Sequence, residues 1–419
     1  LKVLLAHKYF FRGGGTATYL FELMAALEAR GHQAIPFSVA YRRAEPSPYA
    51  GYFVSAPAGA DAAFYREISR TPMTALRLLA RATYSTEAYR KARRLIAAEG
   101  IDVAYVHNVY NYLSPSVIPA CAGAGVPVVM RVADYNLVCP AYSLYRGGDG
   151  PCMECLEAGW SRALVHRCVK GSLGATAARV FSMWVHRLLG VYRHVSLFVT
   201  PSAFMRQVLV GAGFPEAKVV HLPSFYPVNG ASPERLGQGR HILYLGRVSP
   251  EKGLETLLRA HRMLPHPPPL LIAGESRDGE AARLQALADS WGRNGVTFLG
   301  LRGKEELARL VGESLFTVVP SLQPDNCPMS VLESFAQGKP VVGSRMGGIP
   351  EQLGEDCGLL FEAGDAAGLA RQMRRLLDDP GLRAQMGARA RERVRTTYSA
   401  EAHCDRLLGM FAGLLEGRR

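Results

Sequence analysis

Residues 320–333 read Pro-Ser-Leu-Gln-Pro-Asp-Asn-Cys-Pro-Met-Ser-Val-Leu-Glu. The apolar run just before them, at 315–320, predicts a short buried strand. Residues 330–337 predict a helix, closed by Gly338 and followed by Pro340. Asp325 then falls in the connecting loop, and Glu333 lies about one turn inside the helix. The free N–H groups and positive dipole end of that helix face the space between the two carboxylates. Such a place suits an anion such as a phosphate, with acceptors on either side for sugar hydroxyls.

The same strand-loop-helix unit recurs on both sides of this stretch. Residues 2–6 predict a strand, followed by Gly13-Gly14-Gly15 and a helix over 17–29 that ends at Gly31. Strand-like runs follow at 103–107 and 126–132. After a Pro-, Gly-, Ser- and Asn-rich linker at 223–239, strands are predicted at 241–245, 270–273, 296–299, 315–320 and 340–343, with helical sequence between them. Strands alternating with helices imply parallel sheets, and 419 residues are long for a single core. The expected fold is α/β: two doubly wound, Rossmann-like domains facing each other across a cleft. The first spans 1–225 and the second 226–399, with the amphipathic segment 400–419 packing back across the hinge. Ligands of such folds bind at the carboxyl ends of the strands, here in the cleft.

The chain is 48% hydrophobic and 20% charged, a globular rather than a disordered composition. No apolar run reaches the roughly eighteen residues of a membrane span. The longest candidate, at 180–200, is interrupted by His186, Arg187, Arg193 and His194. Residues 1–6 are too short for the apolar part of a signal peptide, so the expectation is a cytoplasmic protein. The net charge of +13 is uneven: residues 1–225 hold 24 Lys+Arg against 13 Asp+Glu, and residues 226–419 hold 25 against 23. The excess is densest from Arg66 to Arg94. Basic, partly amphipathic helices there suit an anionic membrane surface, at the inner membrane face, or simply a solvated face. No nucleic-acid motif accompanies them, and no nucleic-acid partner is expected.

Two cations complete the picture. The predicted strand 241–245 leads into Gly246-Arg247-Val248-Ser249-Pro250-Glu251-Lys252-Gly253, which places Arg247 at the strand's carboxyl end and Lys252 at the start of the next helix. Paired cations suit a diphosphate, since charge-assisted hydrogen bonds contribute about 1.5–3 kcal/mol each. Gly347-Gly348-Ile349-Pro350-Glu351 follows the predicted strand 340–343, where glycines let backbone approach a ligand. Taken in order, these segments resemble retaining glycosyltransferase family 4, whose fold is GT-B. The resemblance covers nearly the whole chain and is most specific in its second half.

The resemblance implies a transferase that moves a sugar from a nucleoside-diphosphate sugar to a hydroxyl of a glycan, a lipid-linked saccharide or a small molecule. Arg247 and Lys252 would bind the donor diphosphate, Glu333 the ribose and Asp325 the donor sugar. Gly14, Gly15, Gly246, Gly274, Ser330, Val331 and Gly348 would line the donor site, with His107 and Asp134 on the acceptor side. No catalytic cofactor is implied, and the chain has no Asp-x-Asp. Two positions depart from the family pattern. Asp325 stands where Glu is usual, and Ala133 precedes Asp134 where His is common. They keep open a non-catalytic nucleotide-sugar-binding protein, or a sugar-nucleotide epimerase, on the same fold. A Rossmann dehydrogenase is disfavoured, because Gly13-Gly14-Gly15 is not Gly-x-Gly-x-x-Gly.

Four of the eight cysteines are regularly spaced: Cys139, Cys152, Cys155 and Cys168, after an Asp-Tyr-x-x-x-Cys-Pro segment. In a cytosolic chain this spacing suits a structural zinc that staples an excursion near the acceptor cleft, or reduced or redox-linked thiols.

Overall fold

A computed structural model describes residues 1–12, 15–57, 59, 61, 71–147, 150–227, 239–276, 279–292 and 295–417. Among them, six parallel strands form a first sheet: β1 (Lys2–His7), β2 (Gln33–Phe37), β3 (Val103–His107), β4 (Val128–Arg131), β5 (Leu197–Thr200) and β6 (Val219–His221). Their order is β6-β5-β4-β3-β1-β2. A second parallel sheet holds β7 (His241–Leu245), β8 (Leu270–Ala273), β9 (Val296–Gly300), β10 (Ser314–Val319), β11 (Val341–Ser344) and β12 (Gly358–Phe361). Their order is β9-β8-β7-β10-β11-β12. Each sheet turns back on itself beside its first strand, between β1 and β3 and between β7 and β10. A doubly wound sheet opens a ligand crevice at that point.

The central strands β3 and β7 are buried at every position, which is why they read as unbroken apolar runs. Four strands escape that reading. β2 carries Pro36, tolerated because β2 is an edge strand with β1 as its neighbour. β5 lies within the longer apolar stretch 180–200, whose first part is the end of the helix Leu173–Leu188. β6 and β12 are only three and four residues long.

The chain crosses between the sheets twice. Residues 222–227 leave the first domain, and residues 228–238 of the expected linker lie outside the described residues. The return is made by the helix Ala400–Glu416, capped by Ser399, whose hydroxyl accepts from the Ala402 N–H. Its Cys404, Leu407 and Phe411 join Val3 and Leu5 of β1, Tyr105 of β3 and Leu20, Leu23 and Leu27 of the helix Gly15–Glu28 in one apolar cluster. Phe411 meets the Tyr105 ring edge-on at 6.2 Å. His403 accepts from or donates to Tyr19 Oη at 2.7 Å, and its Nδ1 lies 2.8 Å from the Pro223 carbonyl oxygen. A helix distant in sequence thus completes the first core.

Phe411 is fully buried. Phe411→Ala is expected to cost about 3–5 kcal/mol in urea denaturation; a loss below about 1 kcal/mol would show that this helix is not part of the first core.

Candidate active site

Two loops of the second domain are locked together by backbone. Leu322 N–H and Gln323 N–H donate to the Glu251 carbonyl at 2.9 and 3.3 Å. Gly253, at φ +69°, packs on the Pro320 carbonyl so closely that a side chain would collide with it. Gly274, at the end of β8, leaves no room for a Cβ against the Gly246 carbonyl. These close approaches bring the loop after β7 against the loop after β10.

The result is a clasp between Lys252 and Asp325. Lys252 Nζ donates to both carboxylate oxygens of Asp325 at 2.7 Å. Ser321 Oγ donates to Oδ2 at 2.7 Å, and Gln323 Nε2 to Oδ1 at 3.0 Å. A carboxylate offers about four lone-pair positions, and all are taken. Burial alone would raise the Asp325 carboxyl, but the Lys252 ammonium and these hydrogen bonds outweigh it and hold it below its usual range. Arg247 is nearly half exposed, 3.4 Å from Glu251. Lys252 sits in a single tight turn, Pro250–Lys252, just ahead of the helix Leu254–Arg262 rather than inside it.

Gly347 and Gly348 press on the same loop from the other side. The Gly348 N–H donates to the Asp325 carbonyl at 2.6 Å, and a Cβ on Gly348 would strike the Asn326 carbonyl. Gly348 is therefore occupied in shaping the Asp325 loop, a different job from the approach to a ligand that its glycine pair suggests. Glu351, three residues on, reaches into the first domain. Its carboxylate accepts from the Ala203 and Phe204 N–H groups at 2.7 and 2.6 Å, at the start of the helix Ala203–Gly211. Asn326 Nδ2 also crosses over, donating to the Ala133 carbonyl at 2.9 Å.

Between the domains lies a cleft of about 490 Å³. Arg247, Lys252 and Asp325 line one wall, and Asp134 lines the other. Burial raises the Asp134 carboxyl, against opposing hydrogen bonds from Asn136 and the charges of Lys8 and Arg179. His107 is placed otherwise. It ends β3, in register with His7 of β1 and Arg131 of β4, and is buried behind the cleft. Its ring centroid is 5.0 Å from that of His7, and neither of its ring nitrogens has a hydrogen-bond partner. Burial, followed by the charges of His7 and Arg131, drives its pKa well down, so the imidazole is neutral. Of the two acceptor-side candidates, only Asp134 reaches the cleft lining.

The remaining donor-side candidates scatter around the helix Met329–Ala336. Its N-terminus has no side-chain cap. Gly15 opens the helix Gly15–Glu28 of the opposite domain, and a Cβ there would lie 3.8 Å from Met329 Cγ. Gly14 lies outside the described residues. Val331 is wholly buried in the core, and the Ser330 carbonyl accepts from Ser334 Oγ within the helix. Gly246 sits at the carboxyl end of β7 at φ +148°. Glu333 is partly buried one turn into the helix, and burial raises its carboxyl against the opposing charge of Lys304.

The first-domain wall was the part least visible in sequence. Tyr135, Tyr142, Ser143, Tyr145, Cys168 and Lys170 line it, all from the cysteine-bearing excursion. Only the regular cysteine spacing signalled that this segment is a built element. Its four thiols are close enough to influence one another, and burial followed by the other three pushes Cys155 up to about 12. All four are free thiols, and no group of three or more His, Cys, Asp or Glu among the described residues has metal-holding geometry.

Two Rossmann-like domains that face each other across a cation-bearing cleft define a GT-B-type glycosyltransferase architecture. Residues 14–224 match the glycosyl transferase 4-like domain and residues 231–393 the glycosyl transferases group 1, and the chain belongs to this glycosyltransferase family. It is 30% identical over 220 residues to the sulfoquinovosyl transferase SQD2 of Arabidopsis thaliana, an alignment covering 48% of this chain and 42% of that protein. The chain thus spans less than half the length of that relative. Sucrose-phosphate synthase from Thermosynechococcus elongatus shares the fold over 99% of both chains, with a TM-score of 0.72 at 18% identity. Anabaena HepE in complex with UDP shares it over 99% of this chain and all of its own, with a TM-score of 0.66 at 16% identity.

The clasp has a pH signature. The folded pKa of Asp325 lies below the unfolded value of about 3.9, so its stabilisation is complete well above pH 4 and is lost as the pH falls from that value through the lower folded one. Asp325→Asn is expected to cost about 3 kcal/mol at pH 7. In urea denaturation the gap between wild type and variant should narrow from pH 6 to pH 3; a gap that stayed constant would contradict the clasp.

Proposed function

We propose that the chain is a retaining glycosyltransferase that moves a sugar from a nucleoside-diphosphate sugar to a hydroxyl of a glycan, a lipid-linked saccharide or a small-molecule acceptor. The observation that carries this reading is the pair Arg247 and Lys252 on one wall of the interdomain cleft, with Asp325 holding Lys252 in place. The donor diphosphate lies against the two cations and the uncapped start of the helix Met329–Ala336, with Glu333 toward the ribose.

In the reaction the acceptor oxygen attacks the anomeric carbon from the face the diphosphate leaves. The carbon–oxygen bond to phosphate breaks with its electron pair going to the diphosphate, and the acceptor proton passes to a diphosphate oxygen. The products are the glycoside and a protonated nucleoside diphosphate, and no strong protein base is required. Arg247 and Lys252 stabilise the charge that develops on the leaving group. Asp134, on the opposite wall, receives the acceptor hydroxyl. No metal enters the scheme.

The saturated carboxylate gives donor binding an order. While Lys252 sits on Asp325, no lone pair remains for a sugar hydroxyl. As the diphosphate draws Lys252 across, two acceptor positions on Asp325 come free, at the point where the donor sugar arrives. Asp325 is a positioning residue in the empty site and a sugar ligand in the loaded one.

Lys252→Ala is expected to abolish transfer and to weaken nucleoside diphosphate binding about 10- to 150-fold, the loss of one charge-assisted contact. A thermal-shift panel of nucleoside diphosphates measures the binding. Glu333→Ala should likewise stop transfer. NMR of the product should show the donor's anomeric configuration, and the rate should survive EDTA. Normal turnover by both variants, or an inverted product, would overturn the reading.

A further inference from the structure

Twelve large hydrophobic side chains are exposed among the described residues, and eight of them lie on three helices that pack together or at the end of one of them. The central one, Leu173–Leu188, is amphipathic the wrong way round. Its outward stripe is Leu173, Ala177, Phe181, Trp184 and Leu188, at helical spacing, while Thr176, Ser182 and His186 face inward with Val180 and Met183. The inward polar groups are used. Ser182 Oγ lies 2.9 Å from Thr83 Oγ1, and His186 Nε2 donates to the Thr83 carbonyl at 2.8 Å. Burial lowers His186 to about 4, so it is neutral in this role. The neighbouring helix Pro72–Thr83 repeats the pattern with Met73, Leu76 and Ala80 outward.

The charge around this face is mostly positive, with Glu154, 3.7 Å from Arg162, at its edge. Between Glu157 and Glu216 the sequence has no acidic residue and seven Lys or Arg. Arg77, Arg162, Arg167, Arg187 and Arg193 are exposed on these helices or the turns that follow them. Arg187 reaches over the Trp160 ring at 5.9 Å, and Trp160 meets Trp184 edge-on at 6.1 Å. Leu188, 79% exposed, protrudes furthest.

We infer that this face docks on an anionic lipid bilayer, with Phe181, Trp184, Leu188 and Leu189 entering the headgroup–acyl boundary and the arginines meeting lipid phosphates. An outward apolar stripe with an arginine-rich rim has the complementarity for such a surface and not for water. Among the described residues no helix is long and apolar enough to cross a membrane, so the attachment lies in the interface plane. This inference goes beyond the transfer reaction and stands whether or not the donor site works as described.

The test is flotation of the full chain with vesicles of phosphatidylglycerol and phosphatidylcholine, compared with phosphatidylcholine alone. The expected result is binding at least ten-fold stronger to the anionic vesicles, weakened by 0.5 M salt. The double variant Trp184→Ser, Leu188→Ser should lose at least ten-fold in binding. Its thermal transition and its nucleoside diphosphate response should stay unchanged, which separates failed docking from failed folding or a failed donor site. Equal binding by the variant would overturn the proposal. So would a dimer in gel filtration that the variant dissolves, because the face would then cover a second copy.

Discussion

A single carboxylate with every acceptor position taken organises the site. Asp325 receives Lys252 twice, Ser321 once and Gln323 once, and it is held there by backbone contacts that only glycine permits at 253, 347 and 348. The ammonium therefore has one position in the empty protein. Its charge is compensated without being consumed, because a diphosphate bears more charge than one carboxylate and can compete for it. An unpaired lysine at the same place would be more costly to bury and would have no fixed position.

The same loop also sets the relation between the domains. Asn326, next to the clasp, holds the Ala133 carbonyl across the cleft, and Glu351 caps a helix of the first domain. Two of the segments that shape the donor wall are thus the segments that touch the opposite domain. The Asp325 loop and the segment bearing Glu351 meet the first domain directly, at Ala133 and at the start of the helix Ala203–Gly211. The glycine-rich segment before Glu351 earns its composition by backbone packing at that junction.

Much of this was legible from residue order. The buried strands β3, β7, β8 and β10 are mostly apolar runs, and the loops that follow strands 7 and 10 carry Arg247, Lys252 and Asp325 in a spacing that already pointed to one pocket. What escaped was set by tertiary contact. β2 holds a proline that only an edge position excuses, and β6 is too short to show a period. His107, at the end of a strand, looked like Asp134 in sequence, yet one faces the cleft and the other lies behind it. His107 is the last residue of β3, in register with Arg131, whereas Asp134 lies three residues beyond the end of β4. The cysteine spacing marked a compact element, but the tyrosines and Lys170 that it turns toward the cleft carry no signature of their own.

The C-terminal helix has a consequence for how the protein is made. Its Leu407 and Phe411 fill the first domain's core against Leu20, Leu23 and Tyr105, although about three to four hundred residues separate them from those partners. During synthesis from the N-terminal side, the first domain emerges with this apolar seat open and stays so until the helix Ala400–Glu416 appears. The buried core of the second domain, by contrast, lies wholly between Ile242 and Tyr398 and can close before that helix arrives. Order of synthesis and order of completion are reversed, and the first-made half must wait, exposed, for this helix.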